Sequence, residues 1–213
     1  MATHKIGKYT EADSMSDLLS DNYPILLVFR RFGISLGFGD KNIGEVCRDN
    51  GVDTPTFLKI INLVLSDGQD QGDAYKDVSL EDLVEYLHNS HEYFLDYRLP
   101  AIRQKLAEAL DPANKDLNTA VMRYFDEYVA EVRKHMNYEE QNLFPYVQLL
   151  LEGKKTDRYS IGVFSNQHDH VEAHHTEFKH IIIKNYAAKI TDEINSVLFE
   201  IYSCEKELAF TMS

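Results

Sequence analysis

The sequence predicts an all-α protein, an up-and-down four-helix bundle preceded by a small helical N-terminal domain. Apolar residues recur at helical spacing through four long segments after residue 79. Strand alternation and hairpin dipeptides are nearly absent. The connections between the long segments are short, which makes successive helices antiparallel neighbours.

Residues 1–66 read as the small domain. Met15 to Phe32 carries Leu18, Leu19, Ile25, Leu26, Val28 and Phe29, and Gly33, Gly37 and Gly39 then break the pattern. Those glycines read as turn formers, since no Lys-Ser/Thr follows to make a phosphate loop. A second short helix runs from Ile43 to a stop at Asn50 and Gly51. Asp53, Thr54 and Pro55 open a third over Thr56 to Leu65, with proline in a first turn that tolerates its missing N–H. Residues 67–78, polar and containing Gly68 and Gly72, read as a linker.

Residues 79–213 read as the bundle. Ser79 and Asp82 resemble a capping box with Asp in place of Glu. Leu83, Tyr86, Leu87, Phe94, Leu95, Ile102, Leu106 and Leu110 follow, with Pro100 expected to kink the helix, and Asp111-Pro112 closes it. The second helix spans about Asp116 to Leu151 and stops at Gly153; the third spans about Ile161 to Asn185. The fourth begins near Thr191 and Asp192 and reaches Ser213 without a stop signal, so it reads as incomplete.

Bulk properties exclude several classes. A formal charge of -13 argues against a nucleic-acid or anionic-membrane surface. Two distant cysteines, Cys47 and Cys204, fit neither a disulfide scaffold nor a thiolate zinc site, and a reducing cytoplasm is the simplest home. The N-terminus lacks the apolar stretch of a signal peptide, and no window approaches a membrane span.

The chemistry concentrates in histidines. His135 and Glu139 stand one helical turn apart, about 5–6 Å at Cβ, so imidazole and carboxylate can face one spot. The first bundle helix adds His88 and His91, beside Glu92. The third adds His168, Glu172 and His175 on one stripe, with His170 and His174 on another. Three bundle helices thus each offer a ligand type at comparable depth, the way bundle metal sites are built. Imidazole and carboxylate without thiolate favour iron over zinc, and bundle sites with bridging carboxylates usually hold two metals. The competing reading is a set of polar core residues hydrogen-bonded to one another. Tyr86, Tyr93, Tyr97, Tyr124, Tyr128 and Tyr138 read as core and boundary aromatics rather than redox relays.

His135-x-x-x-Glu139-Glu140-x-x-Leu143-Phe144-Pro145, a histidine ahead of Leu99-Pro100, and Asn166-Gln167-His168-Asp169 together resemble the hemerythrin-like domain of the di-iron Repair of Iron Centres family. The resemblance covers most of the chain, residues 14–66 resembling the family's N-terminal domain. It implies metal ligation by His91, His135, Glu139 and His168, with His88 the alternative to His91. It also implies an oxo- or hydroxo-bridged iron pair and a stress-linked role: repair of iron–sulfur or other iron centres damaged by nitric oxide or oxidants. The partners so implied are damaged iron–sulfur proteins or other iron acceptors, with O2, NO or peroxide as small ligands; a homodimer is compatible with it. An O2- or NO-binding sensor or carrier without turnover is the alternative, so enzymatic activity stays open.

Two departures bear on these expectations. Leu36 to Asp40 stand where the family carries Cys-Cys-Gly-Gly, which puts thiol chemistry in doubt. The C-terminal segment from Tyr202 to Ser213 lacks the His-x-x-x-Glu of the family's fourth helix, which makes a single iron an alternative to two, with Glu172 and Glu92 as compensating carboxylates.

Overall fold

A computed structural model describes residues 8–66, 78–154, 182–184, 186 and 191–212. The described residues are helical apart from turns, with no strand beyond an isolated bridge between Ser14 and Asn42. The chain is all-α, and it divides into two compact units, 1–90 and 91–213.

In the first unit, α1 (Met15–Asp21) is capped by Ser14, whose side chain accepts from the Asp17 N–H. A 3-10 turn (Tyr23–Ile25) and α2 (Leu26–Arg31) follow. The apolar run expected to be one helix is therefore broken at Asn22, because Pro24 lacks the donor that would continue the ladder and starts a new turn instead. α3 (Ile43–Asp49) starts with a full capping box between Asn42 and Glu45 and stops at Gly51, whose φ of 69° lies in the left-handed region that glycine enters without steric cost. α4 (Thr54–Leu65) is capped by Asp53 with Pro55 in its first turn.

Met15, Leu18, Ile25, Phe29, Ile43, Phe57 and Ile61 fill the core of this unit, joined by Tyr86 from α5 (Leu80–Glu92). Phe57 is fully buried, its ring 6.1 Å from that of Phe29 and 5.3 Å from that of Phe32. Phe57→Ala is expected to cost about 3–5 kcal/mol, read from the denaturant midpoint of this unit.

Cys47 is buried in the same core, and burial pushes its thiol up to about 11 against an opposing hydrogen bond with Thr54. At neutral pH it is a protonated apolar filler, not a nucleophile. Alkylation at pH 8 is expected to be slow in the native chain and fast after denaturation. Because the folded state favours the protonated thiol, its contribution to stability holds below the ordinary thiol range and fades as pH rises through about 11.

In the second unit, a π-helical turn (Tyr93–Arg98) leads into α6 (Leu99–Ala109). α7 (Lys115–Tyr138), a second π turn (Glu139–Leu143) and α8 (Phe144–Leu151) form the next rod. α9 (Asp192–Met212) is the last described helix, and α6 packs against both α7 and α9. Arg103 forks onto Asp126 of α7, and Lys105 pairs with Glu200 of α9.

The inward stripes have alternating spacings of three and four. Leu99, Ile102 and Leu106 are buried on α6, and Ile194, Val197, Ile201, Cys204, Leu208 and Thr211 on α9. On α7 the stripe runs Val121, Phe125, Tyr128, Val132 and then His135 and Glu139. No described helix is long and apolar enough to cross a membrane.

Candidate metal centre

His135 and Glu139 occupy the two positions that continue the apolar stripe of α7, so helical register alone carries an imidazole and a carboxylate into the bundle interior. They are 2% and 4% exposed, and His91, from the end of α5, is 4% exposed beside them. His91 Nε2 lies 2.9 Å from Glu139 Oε2, and His135 Nε2 lies 3.6 Å from Glu139 Oε1. One buried carboxylate thus presents a different oxygen to an imidazole from each of two helices. The other nitrogen of His91, Nδ1, is hydrogen-bonded to Glu140 Oε1 at 2.8 Å. Phe144 stacks on the His91 ring with centroids 5.4 Å apart and planes 13° from parallel.

Both π turns trace to a proline. An α-helical Pro100 or Pro145 would push its ring against the carbonyl four residues back, that of Asp96 or Gln141. Both carbonyls fall inside the π turns, where the ladder widens: Leu99 N–H bonds Phe94 C=O, and Phe144 N–H bonds Glu139 C=O, each five residues back. Each proline then sits in the first turn of a fresh α segment, where no donor is missed. The disturbance therefore lies upstream of Pro145 and coincides with Glu139 and Glu140. Wide turns of this kind frequently mark functional sites in helices.

The sequence-predicted residues divide as follows. His91, His135 and Glu139 come together. His168 lies outside the described residues, with His170, Glu172, His174 and His175. His88 is exposed, whereas His91 is buried. Glu92 is exposed, since it follows a buried histidine by one residue and is turned about 100° away from it, so it does not stand in as a compensating carboxylate. Phe144, whose place in the motif suggests a residue closing over the site, stacks on the His91 ring, whereas Glu140 gains a role that spacing alone did not show, a hydrogen bond with His91 Nδ1.

Among the described residues, no group of three or more His, Cys, Asp or Glu is arranged to hold a metal ion. His91 Nε2 is buried without a hydrogen bond, although a carboxylate oxygen stands 2.9 Å away. Nitrogen and oxygen lone pairs at that distance repel unless a proton or a metal cation lies between them, and the contact is not aligned as a hydrogen bond. The donor set of imidazole nitrogen and carboxylate oxygen suits iron, manganese or zinc.

The family model of the hemerythrin HHE cation binding domain matches residues 82–209, more than half of the chain. The chain belongs to the hemerythrin HHE family. No curated protein and no solved structure matches it. The HHE match takes in both π turns and the whole cluster around Glu139, so the residues gathered in the interior lie within a cation-binding domain.

α9 is fastened beside the first π turn. The Tyr93 hydroxyl donates to Glu207 at 3.4 Å, and Arg98 pairs with Glu200 at 3.3 Å and Glu207 at 3.6 Å. These carboxylates are committed to cationic and hydroxyl partners rather than to the cluster around Glu139.

Proposed function

We propose that the HHE domain binds iron through His91, His135 and Glu139, with His168, which lies outside the described residues, as the further ligand the sequence motif implies. The observation that carries this reading is the buried Glu139 carboxylate, whose two oxygens face imidazoles from separate helices at 2.9 and 3.6 Å. A carboxylate so placed would serve as a ligand whether the domain holds two irons or one. Bound there, iron supplies a ferrous–ferric couple and a position for O2, NO or peroxide. The protein residues hold the donors in place, exclude water with Phe144 stacked on the His91 ring, and present negative charge that favours cation retention.

On this reading the protein acts in the cytoplasm on iron centres damaged by nitric oxide or oxidants, with injured iron–sulfur proteins as iron acceptors. Support comes from the motif running from His135 to Pro145 and from the small helical domain ahead of the bundle, assigned to residues 1–66 with a linker over 67–78 and the bundle over 79–213. The buried, protonated Cys47 gives that small domain no thiolate, so the iron chemistry rests with the bundle. Incubating the iron-loaded chain with a nitric-oxide-damaged iron–sulfur enzyme is expected to restore activity, and Glu139→Ala is expected to remove the effect. Reversible NO or O2 binding without restoration identifies a sensor or carrier instead.

A further inference from the structure

His91 is gripped from three directions by a single short segment of the other rod. Glu139 stands at Nε2, Glu140 at Nδ1, and Phe144 covers a face of the ring. The two nitrogens of an imidazole point away from each other, so the carboxylate at Nδ1 cannot share an ion with the one at Nε2. Glu140 is therefore no ligand for a cation held between His91 and Glu139.

Its chemistry lies elsewhere. Carboxylates stand at both nitrogens, but only Glu140 is aligned to accept a hydrogen bond, so the 2.8 Å contact places the ring proton of the neutral imidazole on Nδ1 and leaves Nε2, which makes no hydrogen bond, with its lone pair beside Glu139. That is the tautomer a metal ligand requires. Free histidine prefers the opposite one, with the proton on Nε2, so a device that holds the proton on Nδ1 removes a competitor of the cation. The side chain of Glu140 is 30% exposed against 5% for His91, so it reaches the ring from the outer side of the site. The π turn makes the arrangement available: its widened backbone lets two consecutive carboxylates flank one imidazole.

We propose that Glu140 is a positioning residue for metal binding, acting through His91 by holding the proton on Nδ1 and aiming Nε2 into the site. This rests on the reading of the cluster as a metal centre and adds a residue outside its ligand set. Carboxylate or carbonyl partners of ligating histidines typically alter metal affinity by about 10–100-fold when removed.

The test uses the full chain, histidine-labelled with 15N, and zinc(II) as a redox-inert probe. Glu140→Ala is expected to weaken zinc binding by about 10–100-fold at unchanged saturating stoichiometry. Glu140→Gln, which keeps an acceptor oxygen, is expected to recover part of that loss. In the zinc-loaded wild-type chain, long-range 1H–15N spectra are expected to show His91 protonated on Nδ1, with that proton slow to exchange. In Glu140→Ala the exchange is expected to quicken at least tenfold, whereas Phe144→Leu, which loosens only the packing, leaves the proton on Nδ1. Equal zinc affinity and equal exchange in wild type and Glu140→Ala overturn the positioning role while leaving the metal centre intact. A wild-type chain that takes up neither zinc nor ferrous ion overturns the metal centre, and this role with it.

Discussion

Glu139→Ala is expected to reduce ferrous-ion affinity by at least about 100-fold, equivalent to roughly 2.7 kcal/mol, while helical content measured by circular dichroism stays unchanged. The reason is geometric. Glu139 faces both His91 and His135, so its removal deletes the oxygen donor the two imidazoles share. Glu139→Gln keeps the shape but not the charge and is expected to fall between wild type and alanine. Equilibrium dialysis under anaerobic conditions measures all three. Comparable affinity in wild type and Glu139→Ala would mean that the cation is held elsewhere.

The second large effect concerns the π turn that bears Glu139. Deleting Asn142, an exposed residue, takes one residue out of the five-residue turn and returns the ladder to α spacing. Pro145 would then stand inside a continuous α-helix, against a carbonyl one turn back, at a cost of about 3 kcal/mol. In the chain with the deletion, Pro145→Ala is expected to recover most of that loss. In the wild-type chain the same substitution is expected to change stability by less than about 1 kcal/mol, because the proline already sits in a first turn. Urea unfolding of the four proteins forms a double-mutant cycle. Equal effects of Pro145→Ala in both backgrounds would separate the wide turn from the proline.

The helices were legible because burial on each rod recurs at steps of three and four, and that spacing is written directly in the sequence. His135 and Glu139 could be placed inward for the same reason: they extend the stripe from Val121 through Val132 without a change of step. The choice between His88 and His91 was not legible. They lie three residues apart on one helix, and which of them is buried depends on what packs opposite. Nor were the π turns. Apolar periodicity reports which face is buried, whereas a widened turn reports which carbonyl a proline displaces, and it adds one residue without shifting the stripes on either side. The break at Asn22 was hidden by an apolar run that continues through Pro24. The part played by Glu140 depends on the facing ring, which no local pattern in its own helix encodes.

The most direct measurement is an anaerobic calorimetric titration of the metal-free full chain with ferrous ion, repeated on His91→Ala and His135→Ala. The account predicts saturable uptake of at least one ion per chain in wild type and a marked loss of affinity in each variant, since the two histidines stand on different helices and both face Glu139. Uptake that both substitutions leave unchanged, or no uptake by the wild-type chain, would contradict it.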